Sequence, residues 1–125
     1  MRQSLRSILA QRPELIIVGE ATDDAGIASL CEELSPQLIL LDMEMPGTAN
    51  LEVIRRLHSQ FPGVKVMALA IHSDKRFVRE TLKAGASGYV LKYLAHEELL
   101  EGIQQVVTRG RYLSPGLEKM EARQH

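Results

Sequence analysis

The sequence predicts a doubly wound α/β domain, in which a parallel sheet is covered by helices on both faces. Two periods alternate along the chain: short apolar runs, and stretches whose apolar residues recur every three or four positions. The apolar runs predict buried strands and the periodic stretches predict amphipathic helices, an alternation typical of a parallel sheet. The length of 125 residues fits one domain.

The first half of the chain predicts a helix, a strand, a second helix and a second strand. Apolar residues at helical spacing are Leu5, Ile8 and Leu9 in the first helix and Ile27, Leu30, Cys31 and Leu34 in the second. Pro13 ends the first helix. Asp23 or Asp24 caps the second, because a carboxylate accepts hydrogen bonds from the unpaired N–H groups of a helix start. The strands are the apolar runs at 15–18 and 38–41.

The second half continues with three helices and two strands between them. The helical apolar residues are Val53, Ile54 and Leu57, then Phe77, Val78, Thr81 and Leu82, then Leu99, Leu100, Ile103, Val106 and Val107. Ser73 or Asp74 caps the middle helix of these three, and Gly85 ends it. The strands are predicted at 64–70 and 89–91.

Composition excludes several classes of protein. Lys and Arg number 15 against 16 Asp and Glu, so the basic excess of a dedicated nucleic-acid binder is absent. Cys31 is the only cysteine, so neither an intramolecular disulfide nor a cysteine-based zinc site can form in one chain. No apolar run has the length of a membrane helix. These observations predict a cytoplasmic domain with no membrane contact and no DNA binding by this chain alone.

Charged residues follow two of the predicted strands directly. Asp42 comes after the run at 38–41, and Lys92 after the run at 89–91. Ligands of open parallel sheets bind beyond the carboxyl ends of the strands, where these two side chains would meet. A nucleophilic carboxylate beside an ammonium group suits a phosphoryl group, and a salt bridge at the rim of the sheet is the alternative interpretation.

Three stretches of the sequence resemble the receiver domain of two-component response regulators. They are VGEATD at 18–23, LILLDMEMPG at 38–47 and GASGYVLK at 85–92. The resemblance is to the LuxR/NarL/FixJ type, whose receivers precede a DNA-binding helix-turn-helix. It implies a CheY-like, flavodoxin-like fold, a receiver domain over 1–113 and the start of a linker to an absent effector domain over 114–125.

The resemblance also implies the roles of individual residues. Asp42 matches the phosphoacceptor, and Lys92 matches the lysine that contacts the phosphoryl group. Tyr89 matches the aromatic residue whose rotation reports phosphorylation, and a core tyrosine with its hydroxyl at the surface is the alternative interpretation. Glu44 matches the position whose backbone carbonyl binds Mg²⁺ together with Asp42. The implied partner is a histidine kinase, and the implied parent protein is a transcriptional regulator.

The sequence departs from the family pattern at its start. Family receivers begin with a strand that ends in two adjacent acidic residues, and this alignment puts that pair a few positions before Met1. The strand would lie between 15–18 and 38–41, so the chain would lack both a central strand and the acidic ligands of Mg²⁺. Direct pairing of the flanking strands, or strand exchange in a homodimer, would cover the exposed edges. The sequence is consistent with three interpretations of Met1: a natural start, a misassigned start or the edge of a fragment.

A second departure lies at the end of the strand predicted at 64–70. Ala70 stands where the family has a serine or threonine, whose hydroxyl bonds the phosphoryl group and relays its presence to the aromatic residue. Alanine has no donor, so the resemblance predicts that the switch is weakened or absent.

Three functions compete. The first is a phosphoacceptor receiver, which is not an enzyme. The second is a degenerate receiver that serves as a phosphorylation-independent interaction or dimerisation module, favoured by Ala70 and by the missing acidic pair. The third is a phosphatase of the haloacid dehalogenase type, because Asp42-Met43-Glu44 approaches its D-x-D pattern, although that motif should follow the first strand. The sequence favours the first and predicts weak or no Mg²⁺-dependent phosphorylation.

Overall fold

The structure is a computed structural model that describes residues 2–44, 51–71, 74–92 and 96–113, with the side chains of 5–44, 51–71, 74–92 and 98–113. The helices in these residues are α1 (Arg2–Leu9), α2 (Asp24–Leu34), α3 (Leu51–Gln60), α4 (Lys75–Ala84) and α5 (His96–Arg109). The strands are β1 (Leu38–Asp42), β2 (Lys65–Ala70), β3 (Gly88–Leu91) and β4 (Tyr112–Leu113). The implied linker at 114–125 and the last three residues of the stretch at 38–47 lie outside the described residues.

The strands form one parallel sheet in the order β1-β2-β3-β4, which confirms the predicted parallel arrangement. The register pairs Asp42 with Leu69 and Ala70 with Leu91, so the carboxyl ends of β1, β2 and β3 lie side by side. Within the described part of the chain, β1 is an edge strand.

Helices cover both faces of the sheet, as the doubly wound prediction requires. Successive residues of β2 point to opposite faces: Val66, Ala68 and Ala70 lie in one core layer, and Met67 and Leu69 in the other. The first layer is completed by buried residues of α2, α3 and α4, and the second by those of α1 and α5. Cys31 is buried in the first layer, which confirms it as a packed core thiol, and burial raises its pKa.

The helix boundaries follow the predicted capping residues. Asp23 is the N-cap of α2, and its Oδ1 accepts a hydrogen bond from the Gly26 N–H at 2.7 Å. Asp74 is the N-cap of α4 and accepts from the Arg76 N–H at 2.7 Å. Gly85 ends α4 with a φ of 122°, a conformation that side chains other than glycine rarely adopt. Each carboxylate satisfies a donor that the helix itself cannot pair.

The prediction of a strand at 15–18 is wrong. These residues are irregular, and the side chains of Ile16 and Val18 are 80% and 54% exposed. A segment forms a strand only when its backbone pairs with a neighbouring strand through hydrogen bonds. Beside this segment lies an apolar cavity of about 510 Å³, whose lining includes residues 14–21 and all of β1. We call this space the edge cavity. Leu15 and Ile17 nevertheless pack against the core layer of α1 and α5 and are partly buried there.

The short strand β4 was not predicted from the sequence. With two residues, Tyr112 and Leu113, this strand is too short to produce a periodic pattern. Among the described residues, no helix is both long and apolar enough to cross a bilayer.

Candidate functional site

Backbone hydrogen bonds fix the position of Asp42 and of Lys92 against the strand between them. Asp42 is the last residue of β1, and the next N–H, that of Met43, donates to the Leu69 carbonyl at 2.8 Å. The N–H of Lys92 donates to the Ala70 carbonyl at 2.9 Å on the other side of β2. Both ladders therefore extend one residue beyond the strands, which holds the two Cα atoms in register at the same edge.

The side chains of Asp42 and Lys92 meet at this edge. Lys92 Nζ lies 2.9 Å from Asp42 Oδ1, and the same oxygen accepts from the Glu44 N–H at 3.0 Å. The two side chains are 18% and 14% exposed, for lysine and aspartate respectively. The structure thus brings together the two residues that the sequence singled out, as an ion pair partly shielded from water, where charge-assisted hydrogen bonds are strong.

Glu44 takes part through its side chain as well as its backbone. Its Oε2 lies 3.8 Å from Lys92 Nζ, and its Oε1 accepts a long hydrogen bond of 3.4 Å from the Ile71 N–H. The resemblance pointed to the backbone carbonyl of Glu44. The contact with the Ile71 N–H was missed, because a backbone donor leaves no signature in the residue type.

Ala70, the last residue of β2, and Tyr89 on β3 are fully buried. Ala70 ends β2 between Asp42 and Lys92, and its methyl group offers no hydrogen-bond donor. The Tyr89 ring contacts Phe77 edge-on, with centroids 6.1 Å apart and planes at 78°. Burial raises the pKa of the Tyr89 hydroxyl, and the carboxylates of Glu44 and Asp74 raise it further. The ring therefore lies in the core, but the hydroxyl is not at the surface, where the alternative interpretation placed it.

A magnesium ion was implied at this edge, and the donor set can be tested against it. Mg²⁺ requires six oxygens in an octahedral array, of which waters supply several. Asp42 and Glu44 bring two carboxylates, and Oδ1 of Asp42 already accepts from Lys92 and from a backbone N–H. In the described ranges, no three residues among His, Cys, Asp and Glu are grouped so as to hold a metal ion. The described residues do not by themselves fit a magnesium centre.

The sequence of this chain is similar to those of known proteins over most of its length. The sequence profile described as "Response regulator receiver domain" matches residues 1–104. The transcriptional regulatory protein DegU of Brevibacillus brevis is 38% identical over 114 residues, which cover 91% of this chain and 48% of that protein. The nitrate/nitrite response regulator protein NarL of Escherichia coli K12 is 32% identical over 117 residues, which cover 94% of this chain and 54% of that protein.

A solved structure agrees with the sequence comparisons. The two-component response regulator of the LuxR family from Aurantimonas sp. SI85-9A1 superposes with a TM-score of 0.89 at 27% identity, covering 99% of this chain and 90% of that one. This chain spans about half the length of the curated relatives just described.

Proposed function

We propose, on the premise that this chain belongs to the response regulator receiver family, that Asp42 accepts a phosphoryl group from a histidine kinase. The observation that carries the proposal is the Asp42–Lys92 pair, with 2.9 Å between Nζ and Oδ1 at the carboxyl edge of the sheet. A carboxylate in this position is a nucleophile, and the adjacent ammonium group neutralises charge on the oxygens of the incoming phosphoryl group.

The transfer step follows from these positions. A carboxylate oxygen of Asp42 forms a bond to phosphorus as the bond from phosphorus to the kinase's histidine nitrogen breaks, and that nitrogen keeps the electron pair. Attack through Oδ2 leaves the hydrogen bonds of Oδ1 to Lys92 and to the Glu44 N–H in place. The product is an acyl phosphate, in which Lys92 contacts the phosphoryl oxygens. Receiver domains generally bind Mg²⁺ at the phosphorylation site, and we propose that the described residues of this chain would hold it only weakly.

Ala70 limits how the phosphorylated state can be transmitted. The side chain of Ala70 offers no hydroxyl at the end of β2, and the Tyr89 ring is fully buried against Phe77. We therefore propose that phosphorylation of Asp42 is coupled only weakly to the position of Tyr89. Replacing Ala70 by Ser should strengthen the response of the Tyr89 ring resonances to phosphorylation, and an unchanged response would contradict this role.

The proposal extends to the partners of the parent protein. The relatives include a transcriptional regulatory protein and a nitrate/nitrite response regulator, and a role in transcription for a longer parent is proposed on that basis. The chain described here is proposed to act in the cytoplasm and not to turn over phosphate esters.

A homodimer is the second proposal, and the edge cavity supports it. Four exposed apolar side chains line this cavity, namely Ile16, Val18, Leu34 and Val107. Strand exchange between two copies would bury them and pair the outer edge of β1. Light scattering across a dilution series tests this, since a mass that stays monomeric throughout would contradict it.

The phosphoacceptor proposal is tested by the intact mass of the chain after incubation with acetyl phosphate and Mg²⁺. We expect a slow, partial phosphoryl adduct on the unsubstituted chain and none on the Asp42→Asn variant. Lys92→Met should form the adduct more slowly than the parent. The role of Asp42 would be contradicted if the folded, unsubstituted chain formed no adduct, or if the Asp42→Asn variant still formed one.

A further inference from the structure

One face of α4 carries exposed cations that lie in no ion pair within the described parts of the chain. They are Lys75, Arg76, Arg79 and Lys83, out of the 10 residues of the helix. Each residue of a helix is turned by about 100° from the one before, which puts all four on the side opposite the buried residues of α4. We call these four residues the α4 stripe.

The charges of the α4 stripe oppose the stability of the helix that carries them. The first turns of α2 and α3 contain an acidic residue, Asp24 and Glu52 respectively, which the positive amino end of a helix favours. The first turn of α4 contains no acidic residue apart from its N-cap and begins with two cations. Lys75, Arg79 and Lys83 also recur every four residues, so like charges are neighbours on the helix surface and repel each other. Helix stability therefore does not account for the stripe, whereas a partner of opposite charge would.

The spacing of the α4 stripe indicates which kind of anion fits it. Four residues of helix rise by about 6 Å, so Lys75, Arg79 and Lys83 are evenly spaced over about 12 Å. Alternate residues of an extended chain lie on one side, about 6.6 Å apart, so a segment with carboxylates at alternate positions matches this row. The chain as a whole has 15 Lys and Arg against 16 Asp and Glu, so a nucleic acid would extend beyond the stripe onto a surface with no basic excess. A protein segment can instead confine its negative charge to the length of the stripe.

We propose that the α4 stripe is a docking surface for an acidic segment of a partner protein. The stripe follows the end of β2 after a short connection, so its amino end lies towards the sheet edge that holds Asp42 and Lys92. A partner aligned on the stripe would lie beside that edge. Complementary charge of this kind accelerates encounter and selects among partners more than it adds affinity. Docking needs no phosphoryl group on Asp42, so it does not depend on the function proposed above.

The test uses the whole chain and a short peptide with glutamate at alternate positions, and binding is followed through the amide resonances of α4. We expect the triple substitution Lys75→Gln, Arg79→Gln and Lys83→Gln to weaken binding about ten-fold, the effect of losing three exposed charge pairs. Glutamine has nearly the helix propensity of lysine and arginine, so α4 should persist in this variant. Undiminished binding by the folded triple variant would overturn the proposal.

A control variant separates the α4 stripe from the net charge of the chain. The substitutions Arg12→Gln, Arg55→Gln and Arg109→Gln remove the same number of cations elsewhere, and this variant should bind the peptide like the unsubstituted chain. Equal weakening by both triple substitutions would overturn the proposal. So would equal binding of a peptide that has glutamine in place of glutamate.

The stability of the chain gives an independent measurement. Because the charges of the α4 stripe repel one another, the triple substitution in the stripe should raise the midpoint of urea denaturation. A lowered midpoint would show that contacts within the fold hold these cations, and would overturn the proposal. Two other occupants would also overturn it: a single-stranded oligonucleotide that binds the stripe more tightly than the peptide does, or a second copy of the chain, if light scattering shows a dimer that the triple substitution abolishes.

Discussion

Lys92 reaches across the end of β2 to bring its Nζ within 2.9 Å of Oδ1 of Asp42, although the two residues lie on strands that do not pair with each other. The strand between them is β2, which ends at Ala70. One ion pair thus joins the ends of β1 and β3, and its loss should affect both the chemistry and the stability of the sheet edge.

Removing the cation should destabilise the fold. Lys92→Met leaves the Asp42 carboxylate, which is largely shielded from water, without its charged partner, and we expect a loss of about 1–2 kcal/mol in the free energy of unfolding. Urea denaturation measures this. Combining Lys92→Met with Asp42→Asn should recover part of the loss, because the uncompensated charge is then gone. Losses that simply add would show that the pair is not coupled.

Gly85 and Gly63 differ in the space that is available for a Cβ atom. A Cβ on Gly85 would lie 2.6 Å from Cγ of His58, and the φ of 122° is itself unfavourable for alanine. We expect Gly85→Ala to destabilise the chain by about 1–3 kcal/mol. A Cβ on Gly63 would have nothing within 4 Å, so Gly63→Ala is the matched control and should change stability by less than about 0.5 kcal/mol. Thermal unfolding measures the stability of both variants. Equal losses of stability in Gly85→Ala and Gly63→Ala would contradict this account.

Two isoleucines test which apolar residues hold the fold together. Ile54 on α3 is fully buried, so Ile54→Ala should cost about 2–5 kcal/mol through lost burial and the cavity left behind. Ile16 is 80% exposed, so Ile16→Ala should cost less than about 0.5 kcal/mol. Denaturation midpoints compare them. A large loss from Ile16→Ala would mean that the segment at 15–18 is buried in solution, as the sequence predicted.

The buried tyrosine should make the fold sensitive to high pH. The pKa of Tyr89 is raised in the folded state by burial, while in the unfolded chain it is about 10. Above that pH the unfolded chain releases a proton that the folded chain retains, so stability falls as pH rises, by up to about 1.4 kcal/mol per unit for this one group. Tyr89→Phe should flatten the decline measured by denaturation between pH 9 and 11, the range around the unfolded pKa. An unchanged slope would exclude Tyr89 as its source.

Much of the fold could be predicted from local patterns. The core positions of α3 recur every three or four residues, and β2 is a continuous apolar run. The caps at Asp23 and Asp74 follow from the need to satisfy free N–H groups. The meeting of Asp42 and Lys92 follows because the carboxyl ends of parallel strands share one edge.

The errors arise where structure depends on a neighbour rather than on the segment itself. The run at 15–18 has strand composition, yet it forms no strand in the described structure, where the edge cavity lies between it and β1. The second contact of Glu44 could not be predicted for a similar reason. It depends on the Ile71 N–H, whose position is set by how β2 ends and not by its side chain.

The edge position of β1 has a consequence for how the chain behaves in bulk solution. Within the described structure, one side of β1 is not paired with another strand and opens onto an apolar cavity. Such an edge is a template on which further chains add as strands, and short apolar segments that do so stack into insoluble fibrils. Refolding from denaturant should therefore yield less soluble protein as its concentration rises, and charged residues placed along this edge should raise the solubility limit.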